Sequence, residues 1–287
     1  MGFWEKVRAR WSTANTLVCV GLDPDYERIA PALAAASGTA PPPEDGILAF
    51  NRAIIEATVD LAAAFKPQIA HYAALGEGGL RALQATLRHL QTHYPEVPVI
   101  LDAKRNDIGS TAARYATEVF EVFGADAVTV SPYLGGDSLQ PFLDRADRGV
   151  FILCRTSNPG ARDLQDLPVG SDGRPLYQVV AQLAAERWNT HGNVGLVVGA
   201  TYPDELRAVR ALVGDLPFLV PGVGAQGGDV EAAVRSGQDR GGAGLLINSS
   251  RGILYASSGA DFAAAARRAA QELRDAINAC RSCPSGH

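Results

Sequence analysis

PVILDAKRNDIGST, residues 98–111, opens as a buried strand and ends as a charged rim. Its apolar start, Pro98 to Leu101, runs into the spacing D-x-K-x-x-D carried by Asp102, Lys104 and Asp107. Alternation along a strand puts Ile100, Asp102 and Lys104 on one face and Val99, Leu101 and Ala103 on the other. The second face is wholly apolar, while the first turns charged as the strand ends. An aspartate and a lysine then point together out of the mouth of a core, which is where chemistry sits if the sheet is a barrel. A plain salt bridge at a strand end accounts for the same two residues, so the remainder of the chain has to decide.

Working outward, short apolar runs of the same kind recur at 16–23, 65–70, 126–131, 149–154, 194–199, 217–221 and 244–248. Helical spacing separates them, over 47–64, 76–94, 110–123, 135–148, 176–191, 203–213, a stretch ending near 236, and 260–280. The runs are β-branched and mostly non-alternating, as parallel strands buried on both faces should be. Unbroken β–α alternation predicts an α/β protein, a (β/α)8 TIM barrel, as a single domain over 1–287. The competitor is a doubly wound sheet, but no G-x-G-x-x-G follows the first run. An amphipathic helix is expected within residues 1–15, with Phe3, Trp4, Val7 and Trp11 on one side, and a flexible tail over 278–287. Residues 24–46, rich in Pro, Ala and Gly, read as a long rim loop with at most a helical turn. The polar stretch 155–175 reads as a second long loop.

Composition bounds the function. The 287 residues are 47% hydrophobic and 20% charged, with net charge −5 and no basic run, so a nucleic-acid polymer is not the expected partner. No apolar stretch reaches the roughly 18–20 residues that span a membrane, and the N-terminus has no secretory apolar region. A cytoplasmic protein is expected. Cys19 and Cys154 lie in apolar runs and read as inert buried thiols. Cys280 and Cys283 form a C-x-x-C with only His287 nearby, a weak case for zinc or redox chemistry. His71 reads as a rim or packing residue, and His89 and His93 as a solvated helix pair.

In a barrel the polar residues at the strand ends should meet. The first strand ends at Asp23, the second carries Lys66 and the third Asp102, Lys104 and Asp107; Ser157 follows the fifth. After the seventh and eighth come Pro221, Gly222, Gln226 and Arg251. GVGAQGG alone is an ordinary tight turn. Beside Arg251, on the side where barrels bind phosphate, it reads as an anion site, with backbone N–H groups and the N-terminus of the following helix facing the ligand. The lysine and aspartate cluster must alternate in charge to be tolerated. It includes no His or Cys nucleophile, and the interleaved lysines oppose a metal cation.

LDAKRNDIGST, with FKPQIA before it and CRTSNPGA, PGVGAQGGD and NSSRGI after it, resembles the orotidine 5′-phosphate decarboxylase family. Its long bacterial form, the type 2 subfamily, is the closer match, and the likeness runs from Asp23 to Arg251. The resemblance implies conversion of orotidine 5′-phosphate to uridine 5′-phosphate and CO2, the last step of de novo pyrimidine nucleotide synthesis, with no metal and no cofactor. It implies that Asp23 and Lys66 hold the ribose hydroxyls and that Asp102 sits against the substrate carboxylate. Lys104 would stabilise and protonate the C6 carbanion, and Asp107 would complete a Lys–Asp–Lys–Asp array. Asp107, Ile108 and Thr111 would reach into the neighbouring subunit of a homodimer. Ser157 would touch the pyrimidine, and Pro221, Gly222, Gln226 and Arg251 would hold the phosphate end under a closing loop. Asn106 stands where a small residue is expected, and His71 where aromatics are common. The rivals are a metal-dependent sugar-phosphate enzyme of the same barrel group, a 3-keto-gulonate-phosphate decarboxylase or hexulose-phosphate synthase, and a catalytically dead nucleotide-binding barrel. In the metal-dependent relatives the second strand tends to end in a metal-binding acid, where this chain has Lys66.

Overall fold

The computed structural model describes residues 1–223 and 228–281. Eight parallel strands form one sheet: β1 (Val18–Leu22), β2 (Ala64–Pro67), β3 (Ile100–Arg105), β4 (Ala127–Val130), β5 (Gly149–Arg155), β6 (Val194–Val198), β7 (Phe218–Val220) and β8 (Leu245–Ser249). Their order is β2-β1-β8-β7-β6-β5-β4-β3. The two ends of that order, β2 and β3, meet through parallel bridges from Phe65 to Val99 and from Gln68 to Asp102. The sheet thus curls into a (β/α)8 TIM barrel, with helices between successive strands. Every residue of β1, β2, β4, β6 and β7 is buried, which explains their near-continuous hydrophobicity.

The first helix, Phe3–Thr13, closes the end of the barrel where strands begin. The Phe3 amide donates to the Asp147 carbonyl at 2.9 Å, and the Phe3 and Trp4 rings pack edge-on against Phe151. Gly149 makes room for them, since a Cβ there would lie 2.3 Å from the Phe3 ring.

Several expectations need correction. Residues 24–46 are not a loop: Tyr26–Ser37 is a 12-residue helix, and the next helix begins at Pro43. Asp25 caps the former by accepting from the Glu27 amide, Gly38 ends it with φ +86°, and Ile29, Ala32 and Leu33 bury its inner side. That burial carries the helix past Pro31. The third strand spans Ile100–Arg105 and so carries Asp102 and Lys104, as the reading of its two faces expects. His89 is buried, not solvated. It continues the inward series Gly79, Ala82, Thr86 along helix Gly76–His93, and burial pushes its pKa down. Of the expected tail, residues 278–280 belong to the last helix, and 282–287 lie outside the described residues. Asn278 donates to the Asn15 carbonyl at 2.9 Å, and Arg281 to the Gly242 carbonyl at 2.6 Å. Cys283 and His287 lie outside the described residues. Cys19 and Cys154 are buried as expected, and burial pushes both thiols up to about 12. Among the described residues no helix is long and apolar enough to cross a membrane.

Candidate active site

A cavity of about 620 Å³ opens at the C-terminal ends of the strands and is lined by residues of β2 to β8 and of the segments after β1, β2, β5, β7 and β8. Its floor is set by an irregularity in β3. Leu101 pairs with Val128 and Arg105 with Val130, so three residues, 102–104, stand opposite the single Thr129. Lys104 sits in this bulge at φ +45°, a left-handed conformation rare for a side-chain-bearing residue. Strict alternation therefore fails here, yet Asp102 and Lys104 still meet, Nζ to Oδ1 at 2.7 Å.

Asp102 is the centre of the cluster. Its Oδ2 lies 3.0 Å from the Lys66 ammonium, and its Oδ1 also accepts from the Thr129 hydroxyl at 2.7 Å. Lys66 and Asp102 are both buried, whereas the Lys104 side chain is 46% exposed and faces the cavity. Burial alone would push Asp102 up; the ammonium groups of Lys66 and Lys104, with the hydrogen bonds from Lys104 and Thr129, outweigh it and hold the carboxyl well below the usual range. Burial alone would push Lys66 down; Asp102 and Asp23 outweigh it and hold the ammonium above the ordinary lysine value. Both groups are charged at neutral pH.

Asp23, at the end of β1, is anchored through both oxygens. Oδ1 accepts from the Gln68 amide at 2.9 Å and Oδ2 from the Ser250 hydroxyl at 2.6 Å. Gly21 makes this possible, because a Cβ there would stand 1.8 Å from Ser250 Oγ. Tyr255 links this corner to the helix Tyr26–Ser37. Its hydroxyl donates to the Asp23 carbonyl and accepts from the Asp25 amide, and Arg28 stacks on its ring at 3.6 Å.

The loop after β5 is held by Arg155, a fully buried arginine. It reaches Gln165 and Asp166 at 3.3 Å, and its guanidinium lies over the Tyr202 ring. Gln165 in turn accepts from the Thr156 amide and donates to the Thr156 hydroxyl, both at 2.9 Å. Thr156 and Ser157 are thereby presented to the cavity. Gly199 lets Ser157 approach, a Cβ there falling 2.9 Å from the Ser157 Cβ.

At the far side Pro221, Gly222 and Arg251 line the cavity, as the sequence predicts. Gln226 lies outside the described residues. The chain on either side of that segment is joined, Gly228 N–H donating to the Gly222 carbonyl at 3.1 Å. At the N-terminus of the helix after β7, Val230–Gly237, the Asp229 carboxylate accepts from the Glu231 and Ala232 amides. Asp107, Ile108 and Thr111 do not line the cavity. Ile108 and Thr111 are exposed, and Asp107 accepts from the Ile108 amide. The chain's own array is therefore Lys66–Asp102–Lys104, without its fourth member. His71 is on the rim, one of the two roles expected of it.

Polar lining residues that escaped the reading of the sequence include Thr129, Gln68, Asp25, Arg28 and Tyr255. Thr129 had a signal, being the one polar residue within β4. Asp25 and Arg28 had none while their segment read as a loop.

Eight β/α units closing round a rim that carries a buried carboxylate between two ammonium groups define a (β/α)8-barrel enzyme. Comparison with known proteins sharpens the class: the model of the orotidine 5′-phosphate decarboxylase / HUMPS family matches residues 16–269, and the chain belongs to that family. It is 57% identical to the orotidine 5′-phosphate decarboxylase of Azoarcus sp. (strain BH72) over 281 residues, covering 98% of this chain and 100% of the relative. Among solved structures it is similar to Leishmania donovani OMP decarboxylase, with TM-score 0.84 and 42% identity over 98% of this chain and 99% of that one. It is also similar to Leishmania donovani UMP synthase, with TM-score 0.85 and 43% identity over 98% of this chain; it spans 57% of the length of that protein.

Proposed function

We propose that this chain decarboxylates orotidine 5′-phosphate to uridine 5′-phosphate, the last step of de novo pyrimidine nucleotide synthesis. The observation that carries the reading is Asp102, buried and ionised between Lys66 and Lys104, in the same cavity as Arg251. Breaking the bond between C6 and the carboxylate leaves the electron pair on C6 and releases CO2. That carbanion has no π-system to spread into. The Lys104 ammonium, facing the cavity, stabilises charge that exists only along the reaction path and then gives its proton to C6; solvent reprotonates the amine. Asp102 stands against the departing carboxylate, a repulsion relieved as CO2 leaves. Asp23 and Lys66 hold the ribose hydroxyls, Ser157 the pyrimidine, and Pro221, Gly222, Gln226 and Arg251 the phosphate, whose binding energy organises the reacting end.

The reaction needs no metal or cofactor, because the charges are built into the protein and the lysines repel a cation from the carboxylates. The working form is a homodimer in the cytoplasm, each chain a single (β/α)8 domain over its whole length. Supporting the dimer, Ile108, Tyr133 and Leu134 are exposed on the neighbouring loops after β3 and β4. Asp107, Ile108 and Thr111 stand outside their own chain's cavity and complete the partner's site. The purified protein should deplete the absorbance of orotidylate in the presence of EDTA. Activity that EDTA removes and a divalent metal restores would favour the metal-dependent rival, and no turnover at micromolar enzyme would defeat the decarboxylase reading.

A further inference from the structure

We infer that Thr129 is a positioning residue that holds Lys104 and Asp102 in their reactive arrangement through its single hydroxyl. The inference rests on the decarboxylase reading. Thr129 is 1% exposed and stands opposite the β3 bulge. At φ +45° Lys104 departs from strand geometry, and its amide donates to the Thr129 Oγ at 3.0 Å. The direction of this relay is fixed by chemistry. An amide can only donate, so Oγ accepts there; an ionised carboxylate can only accept, so the hydroxyl proton goes to Asp102 Oδ1 at 2.7 Å. The same Oδ1 receives the Lys104 ammonium at 2.7 Å, closing a ring from the Lys104 amide through Thr129 and Asp102 to the Lys104 side chain. Lys104 is gripped at both ends.

The grip matters when the proton moves. Once Lys104 has given its proton to carbon, its neutral amine no longer balances Asp102. The Thr129 hydroxyl keeps Oδ1 hydrogen-bonded through that interval, and its hold on the amide keeps the lysine stem aimed. A left-handed backbone at a non-glycine residue persists only where its surroundings fix it, and this hydroxyl is the group that satisfies the Lys104 amide.

Thr129→Val keeps the shape of the side chain and deletes the hydroxyl, whereas Thr129→Ser keeps the hydroxyl. Turnover of orotidylate should fall about 100-fold in Thr129→Val, the scale of a small misplacement at a reacting centre. Thr129→Ser should restore most of it. The dissociation constant for uridine 5′-phosphate, measured by calorimetry, should stay within about threefold in both, because the phosphate contacts are elsewhere. A kcat per folded enzyme within about threefold of wild type in Thr129→Val would overturn the proposal, as would Thr129→Ser being as impaired as Thr129→Val. If Thr129→Val does not fold, Thr129→Ala measured against Thr129→Ser decides by the same criteria. An inactive wild type defeats the decarboxylase reading and the proposal with it; an active wild type beside an equally active Thr129→Val defeats the proposal alone.

Discussion

Asp102 is costly to bury and costlier to leave alone. Each ion taken out of water loses several kcal/mol of hydration, and the cluster is tolerable only because Asp102 faces two ammonium groups and a hydroxyl. Its depressed pKa has a definite sign in stability. The folded chain binds fewer protons than the unfolded one below the ordinary value of 3.8, so the contribution is present above that value and is lost as the pH falls through the folded one. Asp102→Asn should therefore destabilise the protein by about 3–5 kcal/mol near pH 7, leaving Lys66 buried with a partner removed, and the difference from wild type should shrink below about pH 4. Urea unfolding at a series of pH values checks this; a difference that does not vary with pH would contradict it. Asp23, Lys66, Asp102 and Lys104 were legible in the sequence because a charge at the end of an apolar run has few places to go but the barrel mouth. Thr129 was not, since its role depends on a bulge in the neighbouring strand that alternation does not foresee. Asp102 and Lys104 meet even though alternation fails at Lys104. The long lysine side chain bridges the distance, so the right pair was inferred from an idealised strand.

The strands were legible as elements because burial on both faces leaves little doubt about a run such as 194–199, and β–α alternation then leaves few topologies. The segment 24–46 was not, because alanine and proline in a helix of modest amphipathicity give no clear period, and its capping depends on Asp25, which also lines the cavity. The loop after β5, which holds only a 3-10 turn at Pro159–Asp163 and a short hairpin pairing Pro168–Val169 with Arg174–Pro175, is still held firmly. Arg155 joins Gln165 and Asp166 of the loop to Tyr202 and, at 3.9 Å, Glu205, so one buried guanidinium ties the loop to the segment after β6. Arg155→Ala should cost about 3–5 kcal/mol by leaving those carboxylates without their cation. It should also raise KM, because Thr156 and Ser157 lose their template, and make residues 156–175 a site of proteolytic nicking. Arg155→Lys should not rescue, as an ammonium cannot match the planar, multi-directional contacts. Thermal melts, limited proteolysis and steady-state kinetics report the three effects; an Arg155→Ala protein with wild-type melting and KM would show the loop to be held by other means.

At the scale of the whole molecule the barrel is complete, while its cavity holds Lys66, Asp102 and Lys104 of the four-membered array proposed for it. Asp107, Ile108 and Thr111 stand outside the cavity of their own chain, and Tyr133 and Leu134, on the loop after the neighbouring strand, are exposed. In the proposed two-fold dimer, the exposed apolar side chains on the two loops after β3 and β4 would form the interface, and each chain would lend its Asp107 to the other's Lys104. Such sharing has a signature that a monomeric site cannot reproduce. Lys104→Ala should abolish turnover while uridine 5′-phosphate still binds, and Asp107→Ala should lose most of its activity. In a mixed dimer one site carries both lesions and the other carries neither. Random re-association of equal amounts should thus regenerate about a quarter of the wild-type sites. Mixing the two inactive proteins, with brief mild denaturant to exchange subunits, should produce activity that neither has alone. If Asp107 serves its own chain, every site keeps one lesion and the mixture stays inactive.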